Sequence, residues 1–343
     1  ILKKLQKLMK AIIHIGTEKT GSTSLQECLL DFEKLLNRSA ISLLKSPGFG
    51  NNRKLAVYSM KNTNIDDYVL NNQLNNSIAR KKFQKNTRAE LNEEISQLRG
   101  WAETVIISSE HFHSRLTSKE EVKNLKKLLD NYFLNYTIIV YLRRQDLVAL
   151  SLFSTVCKVG YSRKNILPNS ISSTNPYYNY ELLLERWASI FGKENIIPVI
   201  FERNNLIQRD LIIDFFSRIG IENIKSLKRE VSNKTLSWQV KLVLLSFNEK
   251  FSNGKNFQDK KSAKLREKIW KNLSNKYQGE SIKPKQSDAR KFYELFKDSN
   301  SRMGLKWFNT SNVFSEDFSM YPLIRKKYKL DPEILDDVFT IMK

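Results

Sequence analysis

The sequence predicts an α/β fold: a parallel β-sheet flanked by helices, with a helical extension in the C-terminal half. Three observations carry this expectation. Apolar runs of strand length alternate with amphipathic stretches of helix length up to about residue 220, the pattern of βαβ units. Beyond it, residues 235 to 298 turn Lys-rich and helical, with Trp238, Val243, Leu245, Ile269, Trp270 and Leu273 as apolar anchors. A chain of 343 residues with 41% hydrophobic content can bury a sizeable core.

The elements follow in order. At 12 to 30, IIHIGTEKTGSTSLQECLL, isoleucine pairs around His14 read as a buried strand, and Ser24 to Leu30 as the start of a helix. Residues 45 to 76, rich in Asn, Gly and Ser, read as loops with a substrate-facing insert. Residues 78 to 100 are expected to be helical, because Phe83, Leu91, Ile95 and Leu98 recur on one face. A strand at Thr104 to Ser108, a charged helix at about 118 to 131 and a buried strand YTIIVYLRR at 136 to 144 come next. The helix QDLVALSLFSTVCKVG follows directly, and from 181 to 220 come a helix ELLLERWASIFG, a strand IIPVIFE and a helix RDLIIDFFSRIGI. The last 45 residues are aromatic-rich and read as a closing segment. With no internal repeat and no Pro-rich linker, the expected organisation is one domain over 10–325 and a short tail at 326–343.

Lys and Arg outnumber Asp and Glu by 58 to 36, a net charge of +22 that favours polyanionic partners. No Cys/His finger or aromatic RNA-binding motif accompanies that charge, which argues against a specific nucleic-acid partner. Cys28 and Cys157 provide neither a disulfide framework nor metal-ligand spacing, and no metal is expected. No apolar run reaches the roughly 20 residues of a membrane span, so a soluble, cytoplasmic protein is expected. The alternative is the lumenal domain of a secretory-pathway enzyme whose N-terminal anchor was removed. The opening ILKKLQKLMK is basic and partly amphipathic and reads as the remnant of something longer. The sequons Asn135-Tyr136-Thr137 and Asn233-Lys234-Thr235 do not settle the compartment.

Between the first strand and its helix lie Gly16, Thr17, Glu18, Lys19, Thr20, Gly21, Ser22 and Thr23, with little side-chain bulk and one cation. Unpaired N–H groups and the positive dipole end of a helix N-terminus favour an anion there. Gly16 and Gly21 have the separation of the nucleotide-triphosphate motif G-x-x-x-x-G-K-S/T, but position 22 is Ser where that motif needs Lys. A second candidate anion contact follows the strand at 136 to 144: Arg143 at its end, and Ser151 about two turns into the next helix.

The order Lys19-Thr20-Gly21-Ser22-Thr23, with Ser24 behind it, resembles the 5'-phosphosulfate loop of sulfotransferases that use 3'-phosphoadenosine-5'-phosphosulfate (PAPS). Strand, Arg143, seven residues and Ser151 resembles that family's second motif, which holds the 3'-phosphate. Residues 177 to 221 look like the later half of bacterial and Golgi carbohydrate sulfotransferase domains. DSNSRMGLKWF at 298 to 308 occupies the place of the family's basic closing segment, and departs from its Arg-Lys-Gly-x-x-Gly form. The resemblance implies a P-loop-like α/β fold over roughly 10 to 325, PAPS as donor, 3',5'-ADP as product, and nucleotide contacts from Arg302 and Lys306.

It also implies a Glu or His base near the Lys19 loop. VIISSEHFHSRL at 105 to 116 supplies Glu110, His111 and His113, favoured in that order, while Lys19 neutralises the leaving oxygen. The expected acceptor is a hydroxyl or amine, with a carbohydrate, possibly an anionic glycan, suggested by the basic surface. A nucleoside or sugar kinase with an aberrant phosphate loop and a non-catalytic polyanion-binding protein are the alternatives.

Overall fold

The computed structural model describes residues 9–163, 165–222, 224, 236–251 and 260–343. Residues 1–8 of the basic opening and the sequon at Asn233 lie outside the described residues. The chain runs β1 (Met9–Ile15), α1 (Ser22–Asp31), α2 (Glu33–Arg38), β2 (Ile41–Leu43), α3 (Arg53–Ser59), α4 (Asp67–Asn71), α5 (Ser77–Leu98) and β3 (Thr104–Ser109). It continues through α6 (His111–Arg115), α7 (Lys119–Leu129), β4 (Phe133–Leu142), α8 (Gln145–Val159), α9 (Tyr180–Phe191), β5 (Ile196–Ile200) and α10 (Leu211–Arg218). The remaining helices are α11 (Trp238–Phe251), α12 (Lys260–Lys276), α13 (Gln286–Glu294), α14 (Lys297–Phe308) and α15 (Pro332–Met342).

These elements divide into two compact units. The first comprises Ile1–Arg143, Thr174–Lys228 and Ser299–Val313; the second comprises Arg144–Ser173, Arg229–Asp298 and Phe314–Lys343.

The first unit is an α/β layer structure around a five-stranded sheet of order β2-β3-β1-β4-β5, in which every pairing is parallel. A parallel sheet is covered on both faces, so its strands are apolar throughout rather than alternating. Ile138 to Leu142 accordingly have no exposed surface. After β1 the chain moves to one side through β2 and β3, then crosses to the other through β4 and β5. That reversal makes the carboxyl ends of β1 and β4 a topological switch point, where ligands of open α/β sheets bind. The core beneath it gathers Leu25, Leu29, Ile41, Ile106, Ile139, Tyr141 and Phe215.

Two segments differ from the sequence expectation. Within 45–76 the structure has α3 and α4 where loops were expected. Helix α3 buries Leu55, Ala56 and Val57, and Asp66 caps α4 by accepting the Val69 N–H at 2.9 Å. The strand expected at 136–144 spans 133–142, so Arg143 and Arg144 both lie beyond its end.

The second unit is helical. Its core joins Phe153 and Cys157 of α8 with Val240, Val243 and Leu244 of α11, Ile269 and Leu273 of α12, and Ile334 of α15. Trp238, Leu245 and Trp270 pack against that core while partly exposed. Arg144 is buried here and paired with Asp146, Nε to Oδ1 at 2.7 Å and Nη2 to Oδ2 at 3.1 Å. Its Nη1 also donates to the Asp317 carbonyl at 2.8 Å.

Candidate anion-binding and acid-base site

Strand register assembles the site. Ile15 pairs with Ser109 of β3 and with Val140 of β4, so the chain leaving β1 emerges beside Glu110 on one side and Tyr141 to Arg143 on the other. Gly16 N–H donates to the Ser109 carbonyl at 3.2 Å. A Cβ at Gly16 would stand 2.4 Å from Ser22 Oγ and 3.2 Å from Glu110 Cα, so the approach admits only glycine without displacement.

The loop from Gly16 to Gly21 is tied to β4 and its extension. Thr17 Oγ1 donates to the Tyr141 carbonyl, and Arg143 Nη1 donates to the Lys19 carbonyl at 2.8 Å. Thr20 Oγ1 donates to the Thr17 carbonyl at 2.6 Å, closing the turn internally. Lys19 has φ 72° and Gly21 φ 82°, two left-handed residues that bring the chain round into α1. Gly21 is the N-cap, without a side-chain cap, and α1 has no acidic residue in its first turn. The helix therefore presents the positive end of its dipole with no built-in anion. Ser22 Oγ is buried without a hydrogen-bond partner among the described residues. Thr23 is exposed and Ser24 half-buried.

Glu110 follows β3 as the N-cap residue of α6, with its side chain three-quarters buried. Gln26 Nε2, one turn beyond Ser22 on α1, donates to Oε2 at 3.0 Å; Asn51 Nδ2 donates to Oε1 at 3.3 Å. His111 Nε2 lies 3.4 Å from Oε1. Burial lowers the His111 pKa against the pull of the Glu110 charge, with Arg53 and Arg115 adding to the lowering. A neutral His111 leaves Glu110 held by amides and an imidazole, with no Lys or Arg ion pair among the described residues.

His113 serves a different place. Its Nε2 lies 2.9 Å from the Tyr177 carbonyl, an acceptor only, so that nitrogen carries the proton. Its ring packs on Tyr177 at 4.7 Å between centroids, and Tyr177 donates its hydroxyl to Glu18 Oε2 at 2.9 Å. Burial takes the His113 pKa down to about 4, against the pull of Glu18. His14, inside the sheet with Nδ1 2.8 Å from Ser108 Oγ, is lowered by burial to about 3.

The structure thus brings Lys19, Thr20, Gly21, Ser22, Glu110, His111 and Arg143 around the ends of β1, β3 and β4. Ser151 is half-buried on α8, in the second unit. Arg302 is exposed and forms a bidentate pair with Glu181 of α9, Nη2 to Oε2 at 2.7 Å; Lys306 pairs with Glu185 one turn on at 2.8 Å. Sequence reasoning missed Gln26 and Asn51. Gln26 was findable, since it lies four residues after Ser22 and shares its helix face; Asn51 carried no local signal.

No protein-family model matches the chain. Over 240 residues it is 24% identical to an uncharacterized protein of Archaeoglobus fulgidus, covering 68% of this chain. The match spans only 61% of that relative's length. Among solved structures, it is similar to a sulfotransferase from Alicyclobacillus acidocaldarius with a TM-score of 0.36 and 14% identity, over 64% of this chain and 86% of that one. Among the described residues no cluster of three or more His, Cys, Asp or Glu side chains is placed to hold a metal, and no helix is long and apolar enough to cross a membrane.

Proposed function

We propose that the protein is a PAPS-dependent sulfotransferase acting on a hydroxyl or amine acceptor. A carbohydrate or polysaccharide suits a chain of net charge +22. One observation carries the reading: an uncapped helix N-terminus behind Lys19-Thr20-Gly21-Ser22-Thr23, held by Arg143 and abutting Glu110 across Gly16. The site also fits an anion by what it lacks. Among the described residues Ser22 Oγ has no hydrogen-bond partner, the first turn of α1 holds no carboxylate, and Gly16 leaves no side chain between loop and Glu110.

PAPS would supply a sulfuryl group on an activated phosphosulfate. Lys19 and the first-turn N–H groups of α1 would hold its negative charge, joined by the hydroxyls of Ser22, Thr23 and Ser24. Thr20 contributes through its backbone, because its hydroxyl is committed to Thr17. Arg143, which lies just beyond β4 and donates to the Lys19 carbonyl, is the proposed 3'-phosphate contact. Glu110 accepts the acceptor's proton, positioned by Gln26 and Asn51. His111, neutral beside it, is the second candidate base; His113 is committed to Tyr177.

Calorimetric titration with 3',5'-ADP, 5'-ADP and Mg-ATP tests this. The expected result is a preference for 3',5'-ADP that falls roughly 10- to 100-fold in Arg143→Ala, the value of one or two charge-assisted hydrogen bonds. Equal binding of all three nucleotides, or a preference for Mg-ATP, overturns the reading and returns the kinase alternative.

A further inference from the structure

The second unit contains a cavity of about 420 Å³ that the proposed chemistry does not use. Its buried lining is Ile166, Leu167, Pro284 and Phe292, side chains with no hydrogen-bonding group. Its charged lining is three cations, Lys285, Lys291 and Arg325, against one carboxylate, Asp288. Lys285 and Lys291 are fixed by α13, and the segment bearing Arg325 is anchored nearby through Gln286 N–H to the Pro322 carbonyl at 2.9 Å.

Some lysines of this unit find carboxylates, Lys326 with Glu280, Lys276 with Asp337 and Lys297 with Glu316; the three cations at the cavity do not. Lys285, Lys291 and Arg325 make no side-chain hydrogen bond or ion pair among the described residues. An apolar pocket edged by unpaired positive charge selects a ligand with the complementary division. Asn165 and Asn169 line the cavity's exposed edge with the cations; against the buried Ile166, Leu167 and Phe292 a sugar or nucleobase would leave polar groups unpaired, whereas a hydrocarbon body would not.

We infer that this cavity binds an amphiphilic anion, a single alkyl chain bearing a phosphate, sulfate or carboxylate head, taken up as a free molecule. The alkyl body fills the apolar lining and the head meets Lys285, Lys291 and Arg325. A volume of about 420 Å³ lies within the range of small-molecule sites and suits a medium-length chain.

The test titrates the full chain with decyl phosphate below its micellar concentration, beside decanol, decyltrimethylammonium and phosphatidylglycerol vesicles. Saturable binding of one decyl phosphate, at least tenfold tighter than decanol, with no binding of the ammonium compound, is expected. Lys291→Glu/Arg325→Glu, both at exposed positions, should weaken it by roughly tenfold or more. Ile171→Trp, at a half-buried lining position, should block it; if that variant folds poorly, the charge reversal decides. Equal affinity for decanol, insensitivity to charge reversal, or binding to vesicles without saturable binding of decyl phosphate overturns the inference.

Discussion

Substituting Gly16 by alanine isolates the contact on which the site's geometry turns. Gly16 is outside the left-handed region, so alanine suits its backbone and the whole cost is steric. The new Cβ would meet Ser22 Oγ at 2.4 Å, Ser22 Cβ at 3.0 Å and Glu110 Cα at 3.2 Å, where ordinary carbon contacts need about 3.5–4.0 Å. Ser22 Oγ can rotate away, having no hydrogen bond to lose among the described residues. The other two atoms move only with backbone, so α1 and Glu110 must part by several tenths of an ångström. Overpacking of this kind costs about 1–3 kcal/mol, and a displacement approaching 1 Å between loop and base costs on the order of 100-fold in rate. Urea unfolding and the rate of 3',5'-ADP release from PAPS read the two effects separately. Adding Ser22→Gly removes two of the three contacts, so a double-mutant cycle should show a coupling of about 1 kcal/mol. An alanine variant within about 0.5 kcal/mol of wild type, with an undiminished rate, refutes the close approach.

Glu110→Gln keeps the size of the side chain but removes the base, and should lower turnover about 10²- to 10⁴-fold while leaving 3',5'-ADP affinity within about twofold; an unchanged rate moves the role to His111. His14 and His113 have folded pKa values near 3 and 4, below the 6.5 of the unfolded chain. The unfolded state therefore binds more protons below about pH 6.5, and stability is lost as pH falls, by about 2 kcal/mol per histidine between pH 7.5 and 5. His113→Gln should roughly halve that loss in urea titrations at the two pH values, and a pH-independent midpoint contradicts the burial. Arg302→Ala and Glu181→Ala should each cost under about 1 kcal/mol, as exposed pairs do, with nucleotide affinity unchanged. A tenfold weaker 3',5'-ADP complex in Arg302→Ala alone would assign that arginine to the nucleotide instead.

The parallel sheet was legible because its strands are buried on both faces and read as continuous apolar runs, Ile12-Ile13 and Ile138 to Leu142 most clearly. Helices α7 and α9 were legible from periodicity; the capping box of Ser118 and Glu121 that starts α7 is seen only in the structure. Helix α3 was not, because it starts from a left-handed Asn52, φ 43°, without a side-chain cap, in a segment dense with turn residues. Within the site, Lys19 to Thr23, Glu110 and Arg143 were readable as local chemistry at strand ends. What local sequence could not give is pairing at a distance. Asn51 reaches Glu110 across 59 positions, and Tyr177 removes His113 from the acid-base group across 64. Adjacent Arg143 and Arg144 look interchangeable in sequence, yet one clasps the Lys19 carbonyl and the other is buried on Asp146.

The Lys19 loop is fastened by groups it does not contain: the Tyr141 carbonyl, the Arg143 guanidinium and the Ser109 carbonyl, all delivered by the strands beside β1. Its shape is therefore a property of sheet alignment as well as of its own letters, Thr20 closing the turn on Thr17 and Gly21 taking a left-handed φ of 82°. Transplanted into another protein without β3 and β4 at its sides, the same pentapeptide would lose these anchors. Conversely, variation confined to helices that make none of these contacts leaves the three anchors in place, because all three come from β3, β4 and the residue just beyond β4.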